Sequence, residues 1–255
     1  MIFRKAKSLA KKLKLNCYRS ITEINSDFFL MYSENGLQFC QINNIDRVKC
    51  LLYVDFVRGK NGYRHYRNLT IRQPLAKAMG IKSGIRPSVF DATAGLGQDA
   101  FVLACLGCNV SLCERSPVLH SLLEDGLERA WNEKKTAQIV STRMHLLLKD
   151  SKDFLQNSQE KFHTIYLDPM YPHRTTSALN RQEMRIIRNL VGNDDDSETL
   201  LNIAFAEATN RVVVKRPKGA EELSDRAPSF VISAKKSRYD VYLIQIERSP
   251  SGKIA

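Results

Sequence analysis

The sequence predicts an α/β protein: a mainly parallel, doubly wound sheet with an antiparallel end and a small α/β appendage at the N-terminus. Three observations predict it. From residue 88 onward, short apolar runs alternate with segments of helical periodicity. Four of these runs end in an acid, where a parallel strand meets its loop: within SVFDATAGLGQDAF (88–101), NVSLCERSP (109–117), LLLKDS (146–151) and TIYLDPMYPH (164–173). The first of them continues into a glycine turn and a helix, as a nucleotide-binding crossover does.

Taken in order, residues 1–85 read as a basic appendage. LQFCQI (37–42) and CLLYVDFV (50–57) have strand patterning, and QPLAKAMG (73–80) reads as a helix closed by Gly80. The main domain is then 86–255. Its strands are expected at 88–91, 109–114, 144–149 and 163–168, with helices at 98–106, 117–132 and 151–158. Further helices are expected near 179–191 and 197–208, then a strand at 211–217 and a closing hairpin at 229–246.

The chain has 255 residues, 43% of them apolar, enough for one full domain and an extension, and too apolar for wholesale disorder. Its net charge of +12 points to a polyanionic partner. The distribution sharpens that reading. Residues 1–22 hold Arg4, Lys5, Lys7, Lys11, Lys12, Lys14 and Arg19 with no acid. Between Asp55 and Asp91 lie Arg58, Lys60, Arg64, Arg67, Arg72, Lys77, Lys82 and Arg86, again without an acid. Tyr63, His65 and Tyr66 interleave with the second cluster and can stack on unpaired bases. The six cysteines include a zinc-like Cys105-x2-Cys108, but no second pair completes four ligands, so no metal is expected. Buried thiols in a reducing cytoplasm are the simpler reading. No apolar run is long enough to span a membrane.

Asp91 opens the glycine turn, in which Gly95 and Gly97 allow the backbone to approach a ligand closely. The helix that follows at Gln98-Asp99 offers unpaired N–H groups to a carboxylate. A third glycine, expected for a nicotinamide dinucleotide, is missing, and Asp99 would repel a diphosphate. Glu114, beside Arg115, ends the second strand where an acid accepts both ribose hydroxyls. Asp150-Ser151 ends the third, where they meet an adenine amine or simply cap a helix. Asp168-Pro169-Met170-Tyr171 is the most specific element. A nucleobase amine is a poor nucleophile because its lone pair is delocalised into the ring. The Asp168 carboxylate and the Pro169 carbonyl can accept its two N–H bonds and orient it, while Tyr171 stacks on the base. Together these features point to methyl transfer from S-adenosylmethionine to a base.

Asp-Pro-Met-Tyr resembles the Asp/Asn-Pro-Pro-Tyr/Phe motif of class I amino-methyltransferases, with Met170 departing at the third position. The strings DATAGLGQDAFVLA, CERSP, LDPMYPH, VVVKRP and RYDVY resemble one group in particular, the RsmJ family of bacterial ribosomal RNA methyltransferases, across about 73–247. The resemblance implies a Rossmann-like class I methyltransferase sheet, S-adenosylmethionine as donor, and the N2 amine of a guanosine in 16S rRNA as target. It also implies cofactor contacts at Gln98-Asp99, Glu114-Arg115, Asp150-Ser151 and Asp168. Lys215, Arg216 and Lys218 follow the fifth strand in this reading and are expected, with Arg58, Lys60, Arg64 and Arg67, to contact RNA phosphates of the rRNA or small subunit. Two other readings stand beside it. One is an adenine-N6 methyltransferase on DNA or RNA, since the same motif holds either amine. The other is an rRNA-binding assembly factor without catalysis.

Overall fold

The computed structural model describes residues 2–44, 47–58, 69–169 and 196–244. Expectations for Lys60, Arg64, Arg67, Tyr171 and the helix at 179–191 lie outside the described residues.

The main sheet has seven strands: β4 (Val89–Asp91), β5 (Val110–Glu114), β6 (Met144–Leu148), β7 (Phe162–Leu167), β8 (Ala208–Pro217), β9 (Phe230–Ser233) and β10 (Ser237–Leu243). Their spatial order is β6-β5-β4-β7-β8-β10-β9. The first five are parallel, and β10 runs antiparallel between β8 and β9. The chain winds outward from β4 to β6, then restarts beside β4 with β7. The carboxyl ends of β4 and β7 therefore flank a topological switch point, where open α/β sheets bind ligands. The terminal hairpin is present, but its second strand is inserted and its first forms the edge.

Helices cover both faces. The first core packs the sheet against α2 (Pro74–Ala78), α3 (Gln98–Cys105) and α4 (Pro117–Trp131), with Phe101, Leu103, Leu122 and Leu123 buried there. The second packs it against α6 (Ser151–Asn157) and α7 (Ser197–Glu207) through Leu155, Leu200, Leu201 and Ala204. Burial on both faces explains why the interior strands β4, β5 and β7 read as nearly continuous apolar runs. A short helix, α5 (Ala137–Arg143), precedes β6 and was not evident in the sequence, where only Ile139 and Val140 are bulky and apolar.

The appendage is a helix, α1 (Ile2–Leu13), and an antiparallel meander of β1 (Phe28–Ser33), β2 (Gly36–Asn44) and β3 (Arg47–Tyr53). The sequence reading missed β1 because Phe28 to Tyr32 is uninterruptedly apolar and shows no alternation. The meander docks on α4. Leu37, Phe39, Leu52, Val54 and Phe56 join the first core, and the Phe56 and Phe101 rings stack at 4.6 Å. Asp125 on α4 accepts a hydrogen bond from the Leu37 amide at 2.9 Å, and Arg129 donates to the Val54 carbonyl.

Gly126 makes this docking close. A Cβ there would lie 2.3 Å from Val54 Cγ1 and 2.8 Å from Val54 Cβ. Helix propensity alone would favour Gly126→Ala by about 1 kcal/mol. Overpacking costs about 1–3 kcal/mol and outweighs it. Gly126→Ala is thus expected to lower the urea midpoint without changing the slope; a raised midpoint would refute the close contact.

Candidate active site

The loop after β4 is shaped by its glycines and by side chains beneath it. Gly97 has φ +69° and caps α3, a conformation other residues rarely adopt. A Cβ there would also meet Leu123 Cδ1 at 2.7 Å. The Gly95 amide donates to Glu114 Oε2 at 2.9 Å, and the Ser116 amide donates to Oε1 at 2.7 Å. Glu114 is 5% exposed, so its carboxylate is held in one orientation at the end of β5. Ser116 then caps α4 with Pro117 as its first residue.

The end of β6 supplies a second wall. Asp150 caps α6 by accepting the Lys152 amide at 2.8 Å. The Ser151 hydroxyl donates to the Ala92 carbonyl at 2.7 Å, tying this helix to the loop after β4. Arg115 pairs with Asp196 at 2.9 Å and lies 4.0 Å from Asp150. Burial works to raise the Asp196 pKa, yet hydrogen bonds from Lys152 and the Arg115 charge hold it below the usual carboxylate value.

The third wall gathers around Asp168, just past β7. Its amide donates to Thr93 Oγ1 at 2.7 Å. Lys215 Nζ contacts Asp168 Oδ2 and Asp99 Oδ2, each at 2.8 Å, and the buried Tyr166 hydroxyl donates to Asp99 Oδ2 at 2.6 Å. Burial works to lower the Lys215 pKa, but the two carboxylates outweigh it and hold the ammonium well above the usual lysine value. All three walls face one cleft of about 450 Å³. Among the described residues, six acids line it (Asp91, Asp99, Glu114, Asp150, Asp168 and Asp196) against three cations (Arg115, Lys152 and Lys215), with Leu52, Leu119 and Pro169 as apolar surface.

The geometry has counterparts among known proteins. A family model described as "Putative SAM-dependent methyltransferase" matches residues 8–244. A protein of Desulfotalea psychrophila named ribosomal RNA small subunit methyltransferase J is 55% identical over 84% of this chain and 82% of its own length. The protein of that name from Thioalkalivibrio sulfidiphilus is 54% identical over 75% of this chain and 76% of its own. This chain belongs to the ribosomal RNA small subunit methyltransferase J family. The crystal structure of a SAM-dependent methyltransferase from Neisseria gonorrhoeae superposes with a TM-score of 0.72 at 31% identity, covering 94% of this chain and 91% of that one. The Rossmann-like class I sheet expected from the sequence is therefore the fold of this family member, and S-adenosylmethionine is its methyl donor.

The cleft fits that donor by its chemistry. A sulfonium carries positive charge, and an excess of acids favours it while opposing a diphosphate. Glu114 is a buried, oriented acceptor suited to a ribose diol, and Leu119 and Leu52 provide apolar wall for an adenine. Of the residues singled out from the sequence, Asp91, Gly95, Gly97, Gln98, Asp99, Glu114, Arg115, Asp150, Ser151, Asp168 and Pro169 all line this one cleft.

Two expectations need correction, and several residues were missed. Lys215 and Arg216 lie within β8, opposite Tyr239 and Arg238, as the strand expected at 211–217 has them, and do not follow it as the phosphate-contact reading takes them to. Alternation along the strand sends Lys215 into the cleft. Arg216 is buried, 3% exposed, with its Nε 4.0 Å from buried Asp240, and so does not contact phosphate. Lys218 and Arg58 remain exposed. Tyr166, Thr93, Lys152 and Asp196 were not singled out, because each joins the cleft through contacts distant in sequence. Cys105 ends α3 and Cys108 is buried beyond it, and among the described residues no cluster of His, Cys, Asp or Glu suits a metal ion.

Asp91 gives a test of the cleft's electrostatics. Burial, reinforced by Asp99 and Asp168 against the Thr93 amide, pushes its carboxyl up to about 8. Between the unfolded value of 3.8 and 8 the folded state then holds a proton that the unfolded chain has lost. Stability therefore falls as pH rises through this window, by up to about 1.4 kcal/mol per unit. Asp91→Asn removes that slope. Urea unfolding at several pH values between the two limits should show a flatter dependence in the variant; parallel curves would refute the buried neutral acid.

Proposed function

We propose that this protein transfers the methyl group of S-adenosylmethionine to the exocyclic N2 amine of a guanosine in 16S ribosomal RNA, in the cytoplasm where small subunits are assembled. The carrying observation is that Asp168-Pro169, the amine-holding pair, opens into the same cleft as the Glu114 and Gly95 pair suited to a nucleoside. Bound there, S-adenosylmethionine supplies an electrophilic methyl group on its sulfonium. In this reading Glu114 accepts the ribose hydroxyls, and Asp150 with Ser151 faces the adenine edge. The α3 terminus at Gln98-Asp99 and the loop from Asp91 to Gly97 enclose the methionine portion, and Arg115 closes the wall at Asp150.

Asp168 and the Pro169 carbonyl accept the two N–H bonds of the flipped guanine, which aims its lone pair along the transfer axis. Tyr171 stacks on the ring. Orientation supplies most of the acceleration, and the proton leaves the amine toward the Asp168 carboxylate during or after transfer. Residues 86–255 form the methyltransferase domain in this reading, and residues 1–85 the RNA-facing appendage.

The electrostatic footprint extends from Arg58 and Lys218, and from Lys60, Arg64 and Arg67 by charge pattern, to α1. Lys5 and Lys12 pair with Glu128 and Glu124 on α4, both at 2.8 Å. Fixing those two lysines turns Arg4, Lys7, Lys11 and the following Lys14 outward as an exposed stripe at spacings of three and four residues. Each phosphate contact contributes about 0.7–0.9 to the slope of log affinity against log salt. Arg4→Ala/Lys7→Ala/Lys11→Ala is expected to reduce that slope by about 2–3 for small-subunit RNA. An unchanged slope would remove α1 from the footprint.

The reading itself is tested by methyl transfer from labelled S-adenosylmethionine to unmodified small subunits, with the product nucleoside identified by mass spectrometry. N2-methylguanosine is the expected product. N6-methyladenosine would overturn the target, and no transfer to subunits or naked rRNA despite donor binding would favour a non-catalytic assembly factor.

A further inference from the structure

The charge pattern of residues 215–218 groups Lys215 with phosphate contacts, yet its place in the fold differs from theirs. The side chain is 27% exposed, and its ammonium makes two 2.8 Å contacts to carboxylates. These carboxylates come from different elements: Asp99 from the first turn of α3, Asp168 from the end of β7. Tyr166 braces Asp99 from beneath with its 2.6 Å hydrogen bond, and Thr93 fixes the Asp168 backbone. Lys215 is itself anchored in β8, paired with Tyr239 of β10 and one residue beyond Val214, the last partner of β7. A rigid strand in the middle of the sheet thus aims one cation at the junction of the donor side and the target side.

We propose that Lys215 is a positioning residue for methyl transfer, which bridges Asp99 and Asp168 so that the carboxylate receiving the target amine is held in one orientation. This rests on the proposed function, since it assigns Asp168 to the amine. The arrangement also sets the local charge. Two carboxylates and one ammonium leave a single net negative charge beside the sulfonium, because buried Asp91 is largely neutral at pH 7. A phosphate contact would need the ammonium at the surface with its protons turned outward. Stability alone does not call for the bridge, since a buried ion cluster is often matched by apolar packing.

The test compares Lys215→Met, Lys215→Arg and the charge-balanced Asp99→Asn/Lys215→Met on small subunits. It measures kcat, KM for the subunit, and the dissociation constant of S-adenosylmethionine by calorimetry. A positional error of an ångström costs about 100-fold in rate. Lys215→Met is expected to lower kcat by about that factor while both affinities stay within about threefold. Lys215→Arg should recover much of kcat, because a guanidinium can reach two carboxylates. The charge-balanced variant should stay slow, since restoring net charge does not restore orientation; full recovery there would overturn positioning in favour of a charge effect. Raised subunit KM with unchanged kcat would return Lys215 to the phosphate contacts. A tenfold weaker donor affinity with normal kcat at saturation would assign it to cofactor binding. If Lys215→Met fails to fold by thermal melting, Lys215→Arg and the charge-balanced variant decide by the same criteria. The wild-type product nucleoside reports separately on the target, and the ratio of variant to wild-type kcat reports on Lys215 whichever amine is methylated.

Discussion

Asp168→Ala is expected to lower kcat on small subunits about 100- to 1,000-fold, the usual loss when a preorganised hydrogen-bonding group aimed at the reacting centre is removed. Asp168 lies just past β7 at the switch point, with its backbone fixed by Thr93 and its carboxylate by Lys215. Removing it leaves the amine with only the Pro169 carbonyl, and leaves Lys215 paired to Asp99 alone. Asp168→Asn keeps the shape and one carbonyl acceptor, so its loss should be smaller. Lys218→Ala provides the contrast, because Lys218 is exposed beyond the strand end. It should raise KM modestly and leave kcat near wild type. Equal small losses in the Asp168 and Lys218 variants would sink the assignment of the amine-holding role.

The second large effect is on donor affinity. Glu114→Ala is expected to weaken S-adenosylmethionine binding by about 100-fold, roughly 2.7 kcal/mol. Hydrogen bonds to a charged acceptor contribute about 1.5–3 kcal/mol each, so the loss of a ribose diol partner accounts for it. The effect has a structural component as well. Glu114 also accepts the Gly95 and Ser116 amides, so the loop after β4 loses its tie to β5. Glu114→Gln retains one carbonyl acceptor and should fall between wild type and alanine. Calorimetry on the three proteins checks the order; wild-type affinity in Glu114→Ala would place the ribose elsewhere.

The strand ends were legible because period and termination are local properties. A short apolar run that ends in an acid marks the carboxyl edge of a parallel strand without any knowledge of its neighbours. That is why Asp91, Glu114, Asp150 and Asp168 could be named from sequence and prove to line one cleft. The elements that were missed lack such a signature. β1 shows no alternation, and α5 carries too few apolar residues to show a stripe. Asp196 lies far along the chain from Arg115 and Lys152, and only the packing of α7 beside α6 brings them together.

The basic run at 215–218 shows where sequence reading stops. Composition identifies Lys215, Arg216 and Lys218 as cations, and the apolar run places a strand over 211–217, but neither says what each side chain meets on its face of the sheet. Extending β8 through Pro217 puts neighbouring cations on opposite faces of the sheet, so one enters the cleft, one is buried beside Asp240, and the third reaches solvent. The sequence by itself determined the fold class and the carboxyl-edge acids, because each depends on residue type and short-range spacing. The tertiary structure alone decided that Lys215 joins Asp99 to Asp168 and that Tyr166 and Thr93 brace them. Those contacts depend on strand register and side-chain direction across the sheet, which short-range patterning does not encode.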